Sequence, residues 1–168
     1  MHRLIIDGHN VLRGAGRYSD AVARDIDSAR EMLIADLGGR VADGTDVTLV
    51  FDGAGNPASD GSPTVVGGVT VIFSPSGVEA DAVIEALARE ARSAGVQTEV
   101  VTSDAETRWA SLGGCVTVRR ASTFVQEIAG DERDRRTAAG CGGPRAPLED
   151  RLDTETRDRL DRMSRRRP

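Results

Sequence analysis

Three short apolar runs in this chain each end in an aspartate. Leu4-Ile5-Ile6 runs into Asp7, Val47-Thr48-Leu49-Val50-Phe51 into Asp52, and Glu99-Val100-Val101-Thr102 into Ser103-Asp104. Apolar runs without alternation belong to strands buried on both faces, as in a parallel sheet. Residues 69–73 and 115–118 add two more such runs, giving five strands. Helical repeats lie between them. Ile26, Ala29, Leu33, Leu37 and Val41 recur at spacings of three and four, and Val83, Leu87 and Ala91 recur every four with Ile84 and Ala88 beside them. A further helix is expected over 104–112. Another follows Ser122 as N-cap and carries Phe124, Val125 and Ile128. Residues 53–68, rich in Gly, Pro, Ser and Asp, read as a loop. Strands alternating with helices imply a three-layer α/β/α, Rossmann-like domain around a five-stranded, mainly parallel sheet.

In an open parallel sheet, ligands bind at the carboxyl ends of the strands. Asp7, Asp52 and Asp104 all fall there, and Asp81 falls in the first turn of the helix after the third strand. An aspartate after a strand also closes turns and caps helices. Four at one sheet edge make a different pattern. Collected carboxylates repel one another unless a cation compensates. Oxygen-only donors suit Mg²⁺ or Mn²⁺ rather than zinc. Such an ion neutralises charge on a phosphodiester and lowers the pKa of a water, so the pattern points to phosphoryl transfer or hydrolysis. In the run Asp7-Gly8-His9-Asn10, Asn10 adds an amide suited to holding a phosphate or a water. His9 reads as a surface residue at a helix start, and Glu79 as either a further ligand or a helix-dipole acid. Thr102 and Ser103 read as strand end and cap, with donation to a phosphate as the alternative. Trp109, the single tryptophan, reads as core.

Other site classes are excluded directly. All 22 basic residues are arginine, so a phosphate-binding Gly-x-x-x-x-Gly-Lys loop is impossible. No strand leads into Gly-x-Gly-x-x-Gly, and no Gly-x-Ser-x-Gly elbow occurs. The position two beyond Asp7 is His9, which removes the Asp-x-Asp of haloacid-dehalogenase-type phosphatases. The two cysteines, Cys115 and Cys141, form no disulfide framework or zinc spacing. No apolar run approaches the roughly 20 residues of a membrane span, and the cytoplasm is the expected compartment.

At 168 residues the chain is long enough for one domain with an appendage. Net charge is −5 and uneven: residues 1–118 hold 17 acids and nine arginines, residues 119–168 ten acids and 13 arginines. An acidic body with a basic tail is unlike a generic charge-driven nucleic-acid binder, yet allows a polyanion to be held through the tail. The expected organisation is a domain over 1–130. It is followed over 131–168 by a Gly/Arg-rich linker (131–147) and a short basic helix or tail ending in Arg165-Arg166-Arg167.

Four of these segments, taken in order, resemble the NYN domain of the PIN-like nuclease superfamily. They are Ile5-Ile6-Asp7-Gly8-His9-Asn10-Val11-Leu12, Val50-Phe51-Asp52-Gly53, Glu79-Ala80-Asp81-Ala82-Val83-Ile84 and Val101-Thr102-Ser103-Asp104. With Trp109-Ala110-Ser111-Leu112-Gly113 and Arg119-Arg120-Ala121-Ser122, the chain is most similar to the YacP-like branch, over residues 3 to about 130. The resemblance implies a PIN-like fold, one or two Mg²⁺ or Mn²⁺ ions, and hydrolysis of RNA. Carried over by position, Asp7, Asn10, Asp52, Asp81 and Asp104 form the site, with the four aspartates as metal ligands. The branch includes endoribonucleases that cut messenger RNA on the ribosome, so RNA, and ribosome-bound messenger RNA within it, is the implied partner. The tail lacks the long basic helical continuation associated with the branch. The competing expectation is a non-catalytic RNA- or ribosome-binding module that keeps the fold.

Overall fold

The computed structural model describes residues 2–14, 16–53, 59–103 and 113–140, without the side chains of 132 and 134–140. Chain order is β1 (His2–Asp7), α1 (Gly8–Arg13), α2 (Gly16–Arg24), α3 (Ile26–Ala42), β2 (Thr45–Phe51), β3 (Thr64–Val66), β4 (Val69–Phe73), α4 (Ala80–Ser93), β5 (Gln97–Thr102), β6 (Val116–Arg120) and α5 (Ala121–Gly140). The sheet runs β3-β4-β2-β1-β5-β6, with every pairing parallel except β3 with β4.

β1 is buried on both faces because its side chains alternate between two cores. Leu4 and Ile6 join a cluster with Val11 and Leu12 of α1, Tyr18 of α2, Leu33 and Leu37 of α3, and Phe124, Val125 and Ile128 of α5. Ile5 joins Val50, Val100 and the Ala80, Ile84 and Ala88 face of α4 on the other side. These are the three expected layers, an α/β/α sandwich. Within the first core, the buried Tyr18 hydroxyl donates to Asp36 at 2.8 Å, and Arg17 closes a two-bond fork on the same carboxylate. That pairing satisfies the polar end of an otherwise apolar contact between α2 and α3.

The sheet has six strands rather than five. Thr64-Val65-Val66, inside the stretch read as loop, pairs with β4 through a two-residue turn of Gly67 and Gly68, both with positive φ (58° and 84°). Such a turn matches the twist of the flanking strands and needs residues tolerant of positive φ. The helix start expected at His9 is α1, whose extent was not predicted, and α2 is a helix beyond those expected. They have six and nine residues, lengths at which packing rather than propensity decides. α5 begins at Ala121, directly after β6 and one residue before the expected cap at Ser122. It runs to Gly140, so the first ten residues of the expected linker are helical. The helix expected over 104–112 lies outside the described residues. Two compact units are distinguished, Met1–Gly130 and Asp131–Pro168. Among the described residues no helix is long and apolar enough to cross a membrane.

Gly8, the first residue of α1, approaches the Phe51 ring so closely that a Cβ there would fall 2.2 Å from a ring carbon. Alanine ordinarily favours a helix over glycine. Here the ring cannot yield freely, since Phe51 is itself buried. Gly8→Ala is expected to lower stability by about 1–3 kcal/mol, the usual cost of overpacking. Chemical denaturation of the two proteins measures it.

Candidate active site

The chain leaves β1 for β2 and β4 on one side, then returns across the sheet to β5 on the other. The order therefore reverses at β1, and the crevice beyond its carboxyl end is the switch point at which α/β folds bind ligands. A cleft of about 440 Å³ opens there, lined by Asp7, His9, Asn10, Asp52, Glu79, Ala80, Asp81 and Ser103.

Asp7 ends β1 and is only 4 % exposed. It also caps α1: its Oδ1 accepts from the Asn10 backbone N–H at 2.9 Å, and its Oδ2 from the Asn10 side-chain amide at 2.7 Å. The same Asn10 Nδ2 donates to Thr102 Oγ1 at 3.1 Å. Asn10 thus uses its amide hydrogens to fix Asp7 between β1 and β5. Thr102, buried at the end of β5, faces this amide and is not among the residues lining the cleft. Burial pushes the Asp7 carboxyl above its ordinary value. The Asn10 backbone N–H opposes that rise, the charge of Asp81 adds to it, and His9 pulls it back.

The other expected residues come to the same edge. Asp52 stands exposed just past β2, and Asp81 sits half-buried in the first turn of α4. Glu79, at the N-cap of α4, makes no side-chain capping bond and faces the cleft. Asp104 lies outside the described residues; Ser103, its neighbour, lines the cleft. What the residue pattern did not disclose is the support beneath Asp52. The buried Ser74 hydroxyl accepts from the Gly53 N–H at 3.0 Å, and the Ser59 hydroxyl donates to the Ser74 carbonyl at 2.8 Å. A serine directly after a predicted strand was the available signal.

Among the described residues no three His, Cys, Asp or Glu side chains converge as a ready-made metal cage. Mg²⁺ does not require one, because it keeps several waters and is held through one or two carboxylates. The donors present are oxygen-only, and one is a buried carboxylate whose charge is opposed by burial and by a second acid. That set fits a hard divalent cation.

Comparison with known proteins agrees with this fold. The model of the YacP-like NYN domain family matches residues 4–165. The chain is similar to the crystal structure of Rae1 (YacP) from Bacillus subtilis in two forms. A form carrying a single tryptophan-to-leucine substitution superposes with a TM-score of 0.65 at 25 % identity, covering 97 % of this chain and 99 % of that one. The other form gives 0.67 at 24 % identity, covering 99 % and 96 %. No curated protein matches. The fold, the switch-point cleft and the family match over nearly the whole length lead to one assignment: the chain belongs to the YacP-like NYN domain family of the PIN-like nuclease superfamily.

Proposed function

We propose that this chain is a metal-dependent endoribonuclease that hydrolyses RNA phosphodiesters at the cleft beyond β1. The observation that carries the reading is Asp7. A carboxylate that is buried and set against a second acid is costly to keep ionised, and the hydrogen bonds it accepts from Asn10 offset only part of that cost. A perturbed acid in a cleft, with burial and a named charge partner behind the shift, is a candidate for a functional site.

Asp7 and Asp81 would hold Mg²⁺ or Mn²⁺, with Asp52 joining directly or through water, and Asp104 is assigned the same role by position in the family. When bound, the ion supplies neutralisation of the phosphodiester charge and activation of a water. The protein's own residues do the rest. Asn10 holds Asp7 in one rotamer, and Thr102 holds Asn10. The lip formed by Asp52, Glu79 and Asp81 repels a polyanion until a cation intervenes, which ties RNA entry to metal loading. In the reaction, water adds to phosphorus, one ester P–O bond breaks, and the leaving oxygen gains the proton the water gives up.

The test is cleavage of end-labelled single-stranded RNA, with DNA of the same sequence as control, in Mg²⁺, Mn²⁺ or EDTA. The same messenger RNA is presented naked and on translating ribosomes. Metal-dependent internal cuts in RNA are the expected result. Binding without cuts in either presentation overturns the reading and leaves a non-catalytic RNA-binding module.

A further inference from the structure

Behind the acidic cleft, the same sheet edge carries an aromatic surface that the carboxylates do not use. Phe51 and Phe73 are direct partners in the β2–β4 register. Their rings stack with centroids 5.5 Å apart and planes 26° from parallel. Arg30 of α3 lays its guanidinium over both, 5.1 Å from the Phe51 centroid and 5.2 Å from that of Phe73. Phe51 is buried, but Phe73 is 38 % exposed. Arg30 reaches Asp27 at 2.6 Å through Nη1, while its buried Nε makes no hydrogen bond. Charge pairing alone does not account for its position, since a guanidinium that leaves a buried donor unsatisfied gives up a hydrogen bond there. The aromatic faces offset this, and the same plane offers stacking to a ligand.

The location gives this surface its meaning. The Phe51 ring abuts Gly8, the residue after Asp7, and Phe51 itself immediately precedes Asp52. Neighbouring residues of a strand point to opposite faces. Phe51 therefore rises with its register partner Phe73 on the α1–α3 side of the sheet, while Asp7 is bonded to Asn10 at the start of α1 and Asp52 lies just past β2. β4 is two strands from β1, a lateral distance of roughly 10 Å at about 4.8 Å per strand. A short single strand crossing the edge spans both. Every nucleobase has a π-face, and exposed aromatic rings and arginine planes are the surfaces on which single-stranded bases stack.

We propose that Phe73 and Arg30 form a stacking shelf for a nucleobase of the RNA strand whose phosphodiester lies in the carboxylate cleft. The proposal rests on the nuclease reading above. It assigns to this aromatic pair the task the acidic cleft cannot perform, holding the strand through its bases rather than its phosphates. Because stacking tolerates any base, the shelf provides grip and register with little sequence preference.

The test is fluorescence anisotropy on the full chain with two labelled probes of equal length, an oligoadenylate and its abasic ribose-phosphate counterpart. Ca²⁺ serves as the cation, and the RNA is checked as intact afterwards. Wild type is expected to bind the oligoadenylate roughly 5- to 150-fold more tightly than the abasic chain, the range that stacking of one base on an aromatic side chain spans. Phe73→Leu keeps an apolar side chain against Phe51 but removes the aromatic face, and should bring that ratio close to one. Phe73→Tyr should preserve it, and Arg30→Met should reduce it. A purely structural role for Phe73 would alter stability without altering the preference for bases. If Phe73→Leu retains the wild-type ratio, the shelf is wrong and the nuclease reading stands. If wild type binds both probes equally, the shelf again falls. If it binds neither, the shelf falls as well, and the nuclease reading is decided separately by the cleavage assay above.

Discussion

Asp81→Asn is expected to abolish RNA cleavage, lowering the rate by at least about 100-fold, while the protein remains folded. Asp81 enters the cleft from the first turn of α4, so it reaches the switch point from a different element than Asp7. Charge neutralisation of the kind assigned to this site is worth several kcal/mol in the transition state, and each 1.36 kcal/mol is tenfold in rate. The folded state should be nearly indifferent. Losing an acid at the N-terminus of α4 costs a few tenths of a kcal/mol to about 1 kcal/mol. Relief of the repulsion with Asp7 offsets part of that cost. Asparagine keeps the shape. Cleavage rates on labelled RNA and a circular-dichroism melt decide the matter together. A variant that melts like wild type and still cuts within tenfold of its rate removes Asp81 from the site.

Much of this arrangement could be read from the residues because burial and chemistry leave separate marks. Unbroken apolar runs identified β1, β2, β4 and β5, since an interior parallel strand needs apolar side chains on both faces, and a shorter run marked the edge strand β6, which buries none of its residues. Strand ends in such a sheet share an edge, so the aspartates closing β1 and β2 could be placed together before any coordinates. β3 was missed for a physical reason. All three of its residues are exposed, so it carries no burial pattern, and only the Gly67-Gly68 turn between valines signalled it. The short helix α2 is tied to α3 by the tertiary contact of Tyr18 with Asp36, whereas α1 is capped locally by Asp7. The place of Asn10 beside Asp7 was legible, but its hydrogen bonds were not. Its amide was expected to meet a phosphate or a water, whereas its Nδ2 is directed at Asp7 and Thr102, 92 residues away in sequence in the latter case. The Phe51–Phe73–Arg30 stack was invisible for the same reason, being assembled from two strands and a helix.

Mn²⁺ is expected to stabilise the wild-type chain saturably and to leave the double variant Asp7→Asn, Asp81→Asn unmoved. A ligand at about 100 times its dissociation constant adds about 2.7 kcal/mol, which for a chain of this size is roughly 5 to 10 °C in Tm. The pH dependence sharpens the test, because Asp7 works against the fold when no cation is present. Its folded-state pKa is raised above the ordinary 3.8, first by burial and further by Asp81. The protonated form is therefore the one the metal-free fold prefers. The stability linked to it is fully present below pH 3.8 and is lost as pH rises through the raised folded value. The metal-free wild type should accordingly lose stability relative to Asp7→Asn across that interval. Asparagine can still cap α1 and carries no charge to desolvate. A divalent cation binds the carboxylate form, so its stabilising shift should grow over the same interval in which the metal-free protein weakens. Thermal melts across pH, with and without Mn²⁺, follow both trends. Opposite slopes in wild type, each taken as the difference from the double variant at the same pH so that the lowered Asp25 and Asp60 cancel, would tie the instability of Asp7 to metal binding. A wild-type Tm that Mn²⁺ leaves unchanged at every pH would mean that these acids hold no ion, and the hydrolytic reading would lose its chemistry.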